Sequence, residues 1–477
     1  MPRVPQPRIA RTLATLAALA ALAGSMWIAG CVTPLGPGFR IEEQEINVAY
    51  VSGAEPAMRV RAAWQVRNTG NQPLDSVDME LPDAESHDLR DVRVELQGTA
   101  LDLAPRRGRI ARIRFDPPLA VGEAREITAR YELRGIHSEP AGTDVTEQGF
   151  LLPPGDWAPA LLRPNRAFAR GGEAPKKWDM TVRVPAGWRV HASGTLKGTE
   201  HGKEPASESV RYRFQQQKNG FLPFAVGGAF QEARAMANGS RVILWTRQAP
   251  SGGAAQRAAA VVAAAAQFYD ATFGPRRGAS RTLWIIECPR KQPCWPVPEA
   301  AFAGGEIGRD DAWPAIQVEI EQQLAYTWLN FQVHPDWEAE PLPMGALTDY
   351  AAELATVARE GGDARRIIVH GLIASYEFDK AREPEPPVTF ARLSDPESAR
   401  QFAGVKSELF FFALEDVAGQ EALLRAVRHL LRAFHGGAWR AADLRSALEQ
   451  ESGKNLGPIF RQWLVEPGIP SEFRDRY

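Results

Sequence analysis

Apolar and polar residues alternate at about period two over the first half of the chain and at about period four over the second. Between Phe39 and about Gln231, "MRVRAAWQVRN" and "IARIRFD" put every other side chain on one face, the spacing of a half-buried strand. "NTGNQPL" and "LAVGEA" interrupt the alternation with Gly, Asn and Pro, which favour turns. "WDMTVRVPAGWRVHASGTL" reads as a strand, a Pro-Ala-Gly turn and a second strand, and "VRYRFQQQKNGFLPFAVGGAF" adds another pair. Few helical stretches intervene, so an antiparallel β domain is expected here.

From about Val242 the period changes. "AAQRAAAVVAAAAQFYDATFG" is rich in the best helix formers and ends at Gly274. "RTLWIIECP" reads as a short buried strand. In "PAIQVEIEQQLAYTWLNF", Pro314 suits a first helical turn, and Ile316, Ile320, Leu324 and Trp328 recur every four residues as a core stripe. "DARRIIVHGLIASYEF", "SELFFFALEDVAG", "EALLRAVRHLLRAFHGG", "AADLRSALEQESG" and "LGPIFRQWLVEPG" follow as helices, several of them closed by Gly. The expected class is α+β: an antiparallel β-sheet domain followed by a mainly helical one, in a chain long enough for separate cores.

The first thirty residues stand apart. Arg3, Arg8 and Arg11 precede an apolar run of signal-peptide length that closes on Ile28-Ala29-Gly30-Cys31. This resembles the bacterial lipobox, in which the cysteine is lipidated and becomes the first mature residue. A plain signal peptide or an uncleaved anchor helix is the alternative. No later segment has the roughly 18 apolar residues of a second span. The expected organisation is a lipoprotein signal peptide over 1–30, a tether over 31–40, a β domain over 41–235 and a helical domain over 236–477. Val32 follows Cys31, with no aspartate retention signal, so the expected place is the bacterial envelope, anchored in the outer membrane and facing the periplasm.

The net charge of -2 gives no basic balance for nucleic acid. Cys288 and Cys294 are the other two cysteines, flanking a short proline-stiffened loop in "IIECPRKQPCWP". An oxidising compartment favours a disulfide between them. A metal pair is the alternative, although no His lies near and two thiols make a poor zinc site.

Several segments, in order, resemble the membrane alanyl aminopeptidases, a family of zinc aminopeptidases. Trp157-Ala158-Pro159, "WDMTVRVPAGWRVHASGTL" and "FLPFAVGGAF" are similar to its N-terminal domain. "FAGGE" (Phe302–Glu306) resembles the substrate-edge motif, usually G-x-M-E-N or G-G-M-E. "QQLAYTW" falls at H-E-x-x-H-x-W, "PLPMGALTDY" at W-L-N-E-G-F-A-x-Y, and "GVKSELFFFALEDVAG" at Y-x-K-G and its helix. "DLRSALEQESGKNLGPIFRQWLVEPGIP" resembles the end of the zinc domain, which is thermolysin-like. The resemblance runs from about Val48 to Pro470 and does not extend to the family's later domains.

The resemblance implies zinc held by two His and an acid, with a Glu as general base. This chain has Gln322 and Tyr326 at the His positions and Gln323 at the base. The third ligand falls on Met344, one residue closer to Tyr326 than usual, and the oxyanion tyrosine on Gly404. An amide, a phenol and a thioether hold zinc poorly, and an amide takes no proton at neutral pH. No H-E-x-x-H occurs elsewhere, and none of the eight His has another four residues away. "HPDWEAE" collects one His and three acids, as a solvated loop would, with an opportunistic metal site as the alternative, and no G-x-S-x-G elbow is present. The expectation is therefore no zinc cofactor and no catalysis, on a pseudopeptidase lipoprotein that binds peptides or serves as a scaffold. An active metallo-aminopeptidase with an atypical metal site is the alternative. Gly304, Gly305 and Glu306 remain as a candidate edge for the free N-terminus of an extended peptide, against a plain loop with Glu306 in water. The expected partners are the membrane, through the lipid anchor, and peptides or an envelope protein complex.

Overall fold

The computed structural model describes residues 38–82, 88–101, 110–134, 143–153, 157–162, 175, 177–201, 207–215, 223–250, 252–276, 281–288, 294, 296–304, 307, 313–335, 345–382 and 398–477. Strands and helices are numbered in chain order within them. The largest sheet runs β13 (Thr195–His201), β14 (Ser207–Gln215), β11 (Lys177–Pro185), β1 (Phe39–Val51), β2 (Ala57–Asn68), β7 (Ala124–Leu133), β4 (Leu89–Leu96) and β5 (Thr99–Ala100). A second runs β10 (Ala160–Leu162), β3 (Leu74–Glu80) and β6 (Ile110–Leu119), and a third β12 (Arg189–Ala192), β15 (Ala225–Gly228), β9 (Gly149–Leu152) and β8 (Asp144–Thr146). Alternation does its expected work in β1 and β2. Ile46, Val48, Val60, Ala62, Trp64 and Val66 are buried, and Trp157 anchors the floor by donating its indole N–H to the Pro223 carbonyl at 3.1 Å.

The sheets depart from the expected antiparallel domain in two ways. β1 pairs with β11 in parallel, from Glu43↔Lys177 to Ala49↔Arg183. The segments read as neighbouring strand pairs also divide between sheets: β11 pairs with β14, while β12 pairs with β15. A period of two reports which face of a strand is buried; it carries no information about partner or direction. At the third sheet the backbones approach closely, and a Cβ on Gly227 would lie 2.6 Å from the Phe150 ring. That spacing explains the glycine pair in "VGGAF".

The second unit starts on a sheet of its own: β16 (Gln231–Ala237), β17 (Ser240–Thr246), β18 (Thr282–Glu287) and β19 (Ala300–Ala303). Since β16 belongs to it, the switch between units falls at Phe230, a few residues before the expected 235. Phe39 likewise opens β1, inside the expected tether. The helices are α1 (Ala254–Phe273), α2 (Trp313–Trp328), α3 (Ala346–Glu360), α4 (Ala364–Arg382), α5 (Ser398–Ala418), α6 (Gln420–Ala433), α7 (Ala441–Ser452), α8 (Gly457–Leu464) and α9 (Ser471–Arg474). β20 (His334–Pro335) and β21 (Ala438–Trp439) form a small parallel pair. The expected stripe Ile316, Ile320, Leu324 and Trp328 lies in the main core of this unit. α3 is an addition to the expected helices. The architecture is α+β, an N-terminal β-sheet domain followed by a helical region. Among the described residues no helix is long and apolar enough to cross a membrane.

A separate apolar cluster joins the two units. Leu151, Phe224, Val226 and Phe230 from the first pack with Ile243, Trp245, Ile286 and Phe302 from the second. Cys288 and Cys294, bonded to each other with Cα atoms 5.9 Å apart, are buried in the same cluster. Beside it His191 stacks on Trp284 with ring centroids 4.2 Å apart, and burial pushes its pKa down to about 4.

Candidate functional site

α2 carries the residues singled out by the sequence, and it is fixed from several sides. Trp328 donates its indole N–H to Asp270 at 2.8 Å, the Tyr269 hydroxyl donates to the Glu321 carbonyl at 2.9 Å, and Arg359 pairs with the Glu321 carboxylate. Gln322 is exposed, whereas Gln323 is buried. The Gln323 side chain makes two bonds to one residue of β19. Its Oε1 accepts the Phe302 N–H at 2.7 Å, and its Nε2 donates to the Phe302 carbonyl at 2.7 Å. A carboxylate has no proton to give that carbonyl, so an amide suits this position where an ionised Glu would leave an acceptor facing an anion. One residue pair along, the Gly304 N–H donates to Glu319 Oε2 at 3.0 Å.

Tyr326, one turn after Gln322, is partly buried and donates its hydroxyl to Asp349 Oδ1 at 3.4 Å. Burial first, then the Asp349 charge, holds the phenol proton well above its usual range. The third-ligand position can now be placed in space. Met344 lies outside the described residues, but the usual spacing from Tyr326 falls on Gly345. A Cβ on Gly345 would lie 2.7 Å from Asp349 Oδ2 and 3.0 Å from the Tyr326 hydroxyl oxygen. A side chain at 345 would therefore point at Tyr326. The space it would need is taken by the phenol and the Asp349 carboxylate.

Beneath Tyr326, α3 and α5 bring three acids together. Burial raises the Asp349 pKa to about 6, opposed by the Tyr326 hydrogen bond. Burial, then the charges of Asp349 and Glu353, raises Glu408 to about 9, so it keeps its proton at pH 7. Glu353 is raised by burial as well. None of the three stood out in the sequence. The available signal was an acid inside the apolar run "SELFFF", and Asp349 and Glu353 spaced one turn apart. Gly404 sits on α5, and a Cβ there would meet nothing within 4 Å. Nearby Lys406, almost wholly buried, donates to the Glu466 carbonyl at 2.6 Å and ties α5 to the C-terminal segment.

Zinc in a site of this kind takes imidazole and carboxylate donors. Here the first position offers an exposed amide, the second a phenol that keeps its proton, and the third, at the usual spacing, no side chain. That donor set does not suit zinc. Among the described residues no group of three or more His, Cys, Asp and Glu is arranged to hold a metal ion. Of the other residues singled out, Gly304 is placed on the β19 edge, while Cys31, Gly305, Glu306 and most of "HPDWEAE" lie outside the described residues.

No protein-family model matches the chain, and no curated protein matches it. Solved structures do. The M1 zinc metallopeptidase of Deinococcus radiodurans superposes with a TM-score of 0.63 at 15% identity, over 91% of this chain and 95% of that one. A two-domain M1 zinc metallopeptidase, a glutamate-to-alanine mutant bound to L-arginine, gives 0.61 at 15% identity over 91% and 95%. The Deinococcus radiodurans mutant bound to a Tyr-Ser-Ala substrate gives 0.58 at 14% identity, over 91% and 95%. With both units matched over nearly the whole of each chain, this protein has the two-domain fold of the M1 zinc metallopeptidases.

Proposed function

We propose that this chain is a catalytically inactive, aminopeptidase-like lipoprotein that serves the cell envelope as a scaffold. One observation carries the reading: at the position of the general base, Gln323 holds Phe302 by both N–H and C=O. A side chain committed to two backbone bonds is not free to take a proton from water, and its amide would not take one at neutral pH. The poor donor set around Tyr326 supports the same conclusion. Lipidation of Cys31 would hold the body at the outer membrane, facing the periplasm. Capture of a free amino terminus at Glu306 would draw on the β19 edge, where Gly304 already gives its N–H to Glu319. The scaffold role is therefore preferred to peptide capture.

The deciding experiment is metal analysis and turnover of amino-acid anilides with the purified mature protein. The expected result is no stoichiometric zinc and no hydrolysis. Near one zinc per chain after dialysis, or turnover abolished by a chelator, would overturn the reading. Replacing Gln322→His together with Tyr326→His should not restore activity, because the base and third ligand are still missing. Cys31→Ser should release the protein from membranes or leave an unprocessed precursor. Pull-down from membranes with the lipidated protein should bring down an envelope partner.

A further inference from the structure

β19 is the last strand of its sheet, and its outward backbone groups can be followed one by one. Cys288 donates to the Ala303 carbonyl, and Trp284 to the Glu299 carbonyl, so the odd-numbered residues face β18. Phe302 and Gly304 therefore face outward. An unpaired sheet edge is a template for an added strand, and the guest uses the N–H and C=O of one outward residue as a pair. On β19 that pair belongs to Phe302, and both groups are taken by Gln323 at 2.7 Å. The next outward donor, Gly304, is taken by Glu319 at 3.0 Å, and Ala300 turns its N–H to the Val297 carbonyl at 3.1 Å.

The chemical match at Phe302 is close. A glutamine side chain ends in the same CO–NH unit as a peptide bond, and here it presents one donor and one acceptor, as a guest strand would. We infer that Gln323 acts as an intramolecular strand mimic that keeps the β19 edge closed to extended peptides. It is an autoinhibitory contact: the helix beneath the edge fills the place of a guest main chain. The inference goes beyond the proposed function, because it stands or falls on access to one strand edge, whether or not the protein holds zinc or turns over a substrate.

The test is hydrogen exchange of the segment 297–304 in the purified mature protein, with and without the tripeptide Tyr-Ser-Ala as probe. In the native protein, exchange should be slow and unchanged by the peptide. Gln323→Ala should speed exchange of this segment about tenfold or more, since two buried bonds are lost. Added Tyr-Ser-Ala should then restore the protection and bind saturably. Gln323→Ser carries the same measurement if the alanine variant does not fold. Glu319→Ala frees only the Gly304 N–H, and should speed exchange without admitting the peptide. Protection of the segment by peptide in the native protein would overturn the inference. So would unchanged exchange in both Gln323 variants, or faster exchange that the peptide does not reverse, which would leave Gln323 a structural clamp alone.

Discussion

Gln323 and Tyr326 lie less than one turn apart on α2, yet they solve the problem of a buried polar group in opposite ways. On the Gln323 side both ends of the amide have a partner: two short bonds join it to Phe302, and the neighbouring Glu319 accepts the Gly304 N–H. On the Tyr326 side a single 3.4 Å bond reaches Asp349, and three acids crowd together with raised pKa values. A buried polar group costs little when paired and much when left unpaired. The first side should therefore hold the fold together, and the second should weaken it.

The largest effect expected from this contrast is at Gln323. Gln323→Ala leaves both backbone groups of Phe302 without a partner, and should destabilise by about 3–5 kcal/mol. Chemical denaturation would show it as a lower midpoint with an unchanged slope. A loss under about 1 kcal/mol would erase the contrast between the two sides.

Glu408 is next, with the opposite sign. Its folded pKa of about 9 lies above the reference value of 4.5, so the folded state binds an extra proton between them. Stability is complete below about 4.5 and declines as the pH rises toward 9. Glu408→Gln keeps the neutral form at every pH. It should stabilise the protein at pH 8, on the order of 2 kcal/mol, and flatten the pH profile of melting temperature. Equal melting profiles for the two proteins from pH 5 to 9 would refute it. Asp349→Asn should act the same way over a narrower window, from the reference 3.8 to about 6, by about 1 kcal/mol. Tyr326→Phe removes only the long bond and should change stability by about 0.5 kcal/mol or less. A loss above about 2 kcal/mol in thermal unfolding would show that the phenol is better held than its geometry indicates.

The residues on α2 were legible in the sequence on both sides of this contrast, and their partners were not. The stripe Ile316, Ile320, Leu324 and Trp328 follows from its spacing, as do the strands β2 and β6, because a periodic pattern records which face is buried. The amides at 322 and 323 and the phenol at 326 were equally plain, since each differs in donor type from the imidazole or carboxylate that the resemblance implies there. The new bond of Gln323 was not legible, because its partner lies 21 residues earlier on another element. α3 was not among the expected helices; the signal for it was the run of good helix formers in "YAAELATVARE". Glu408 is the less expected of the acids, because acids usually take the solvated face of a helix and α5 is buried nearly all round at this point.

The apolar cluster shared by the two units has a consequence for how the molecule comes apart. Phe302, the residue clasped by Gln323, is also a member of that cluster, alongside Phe224 and Phe230 from the β domain. Neither unit can expose its share of this surface without exposing the other's. Calorimetry should therefore record one cooperative transition rather than two, and a change made at the helix should lower the melting of the distant sheets as well.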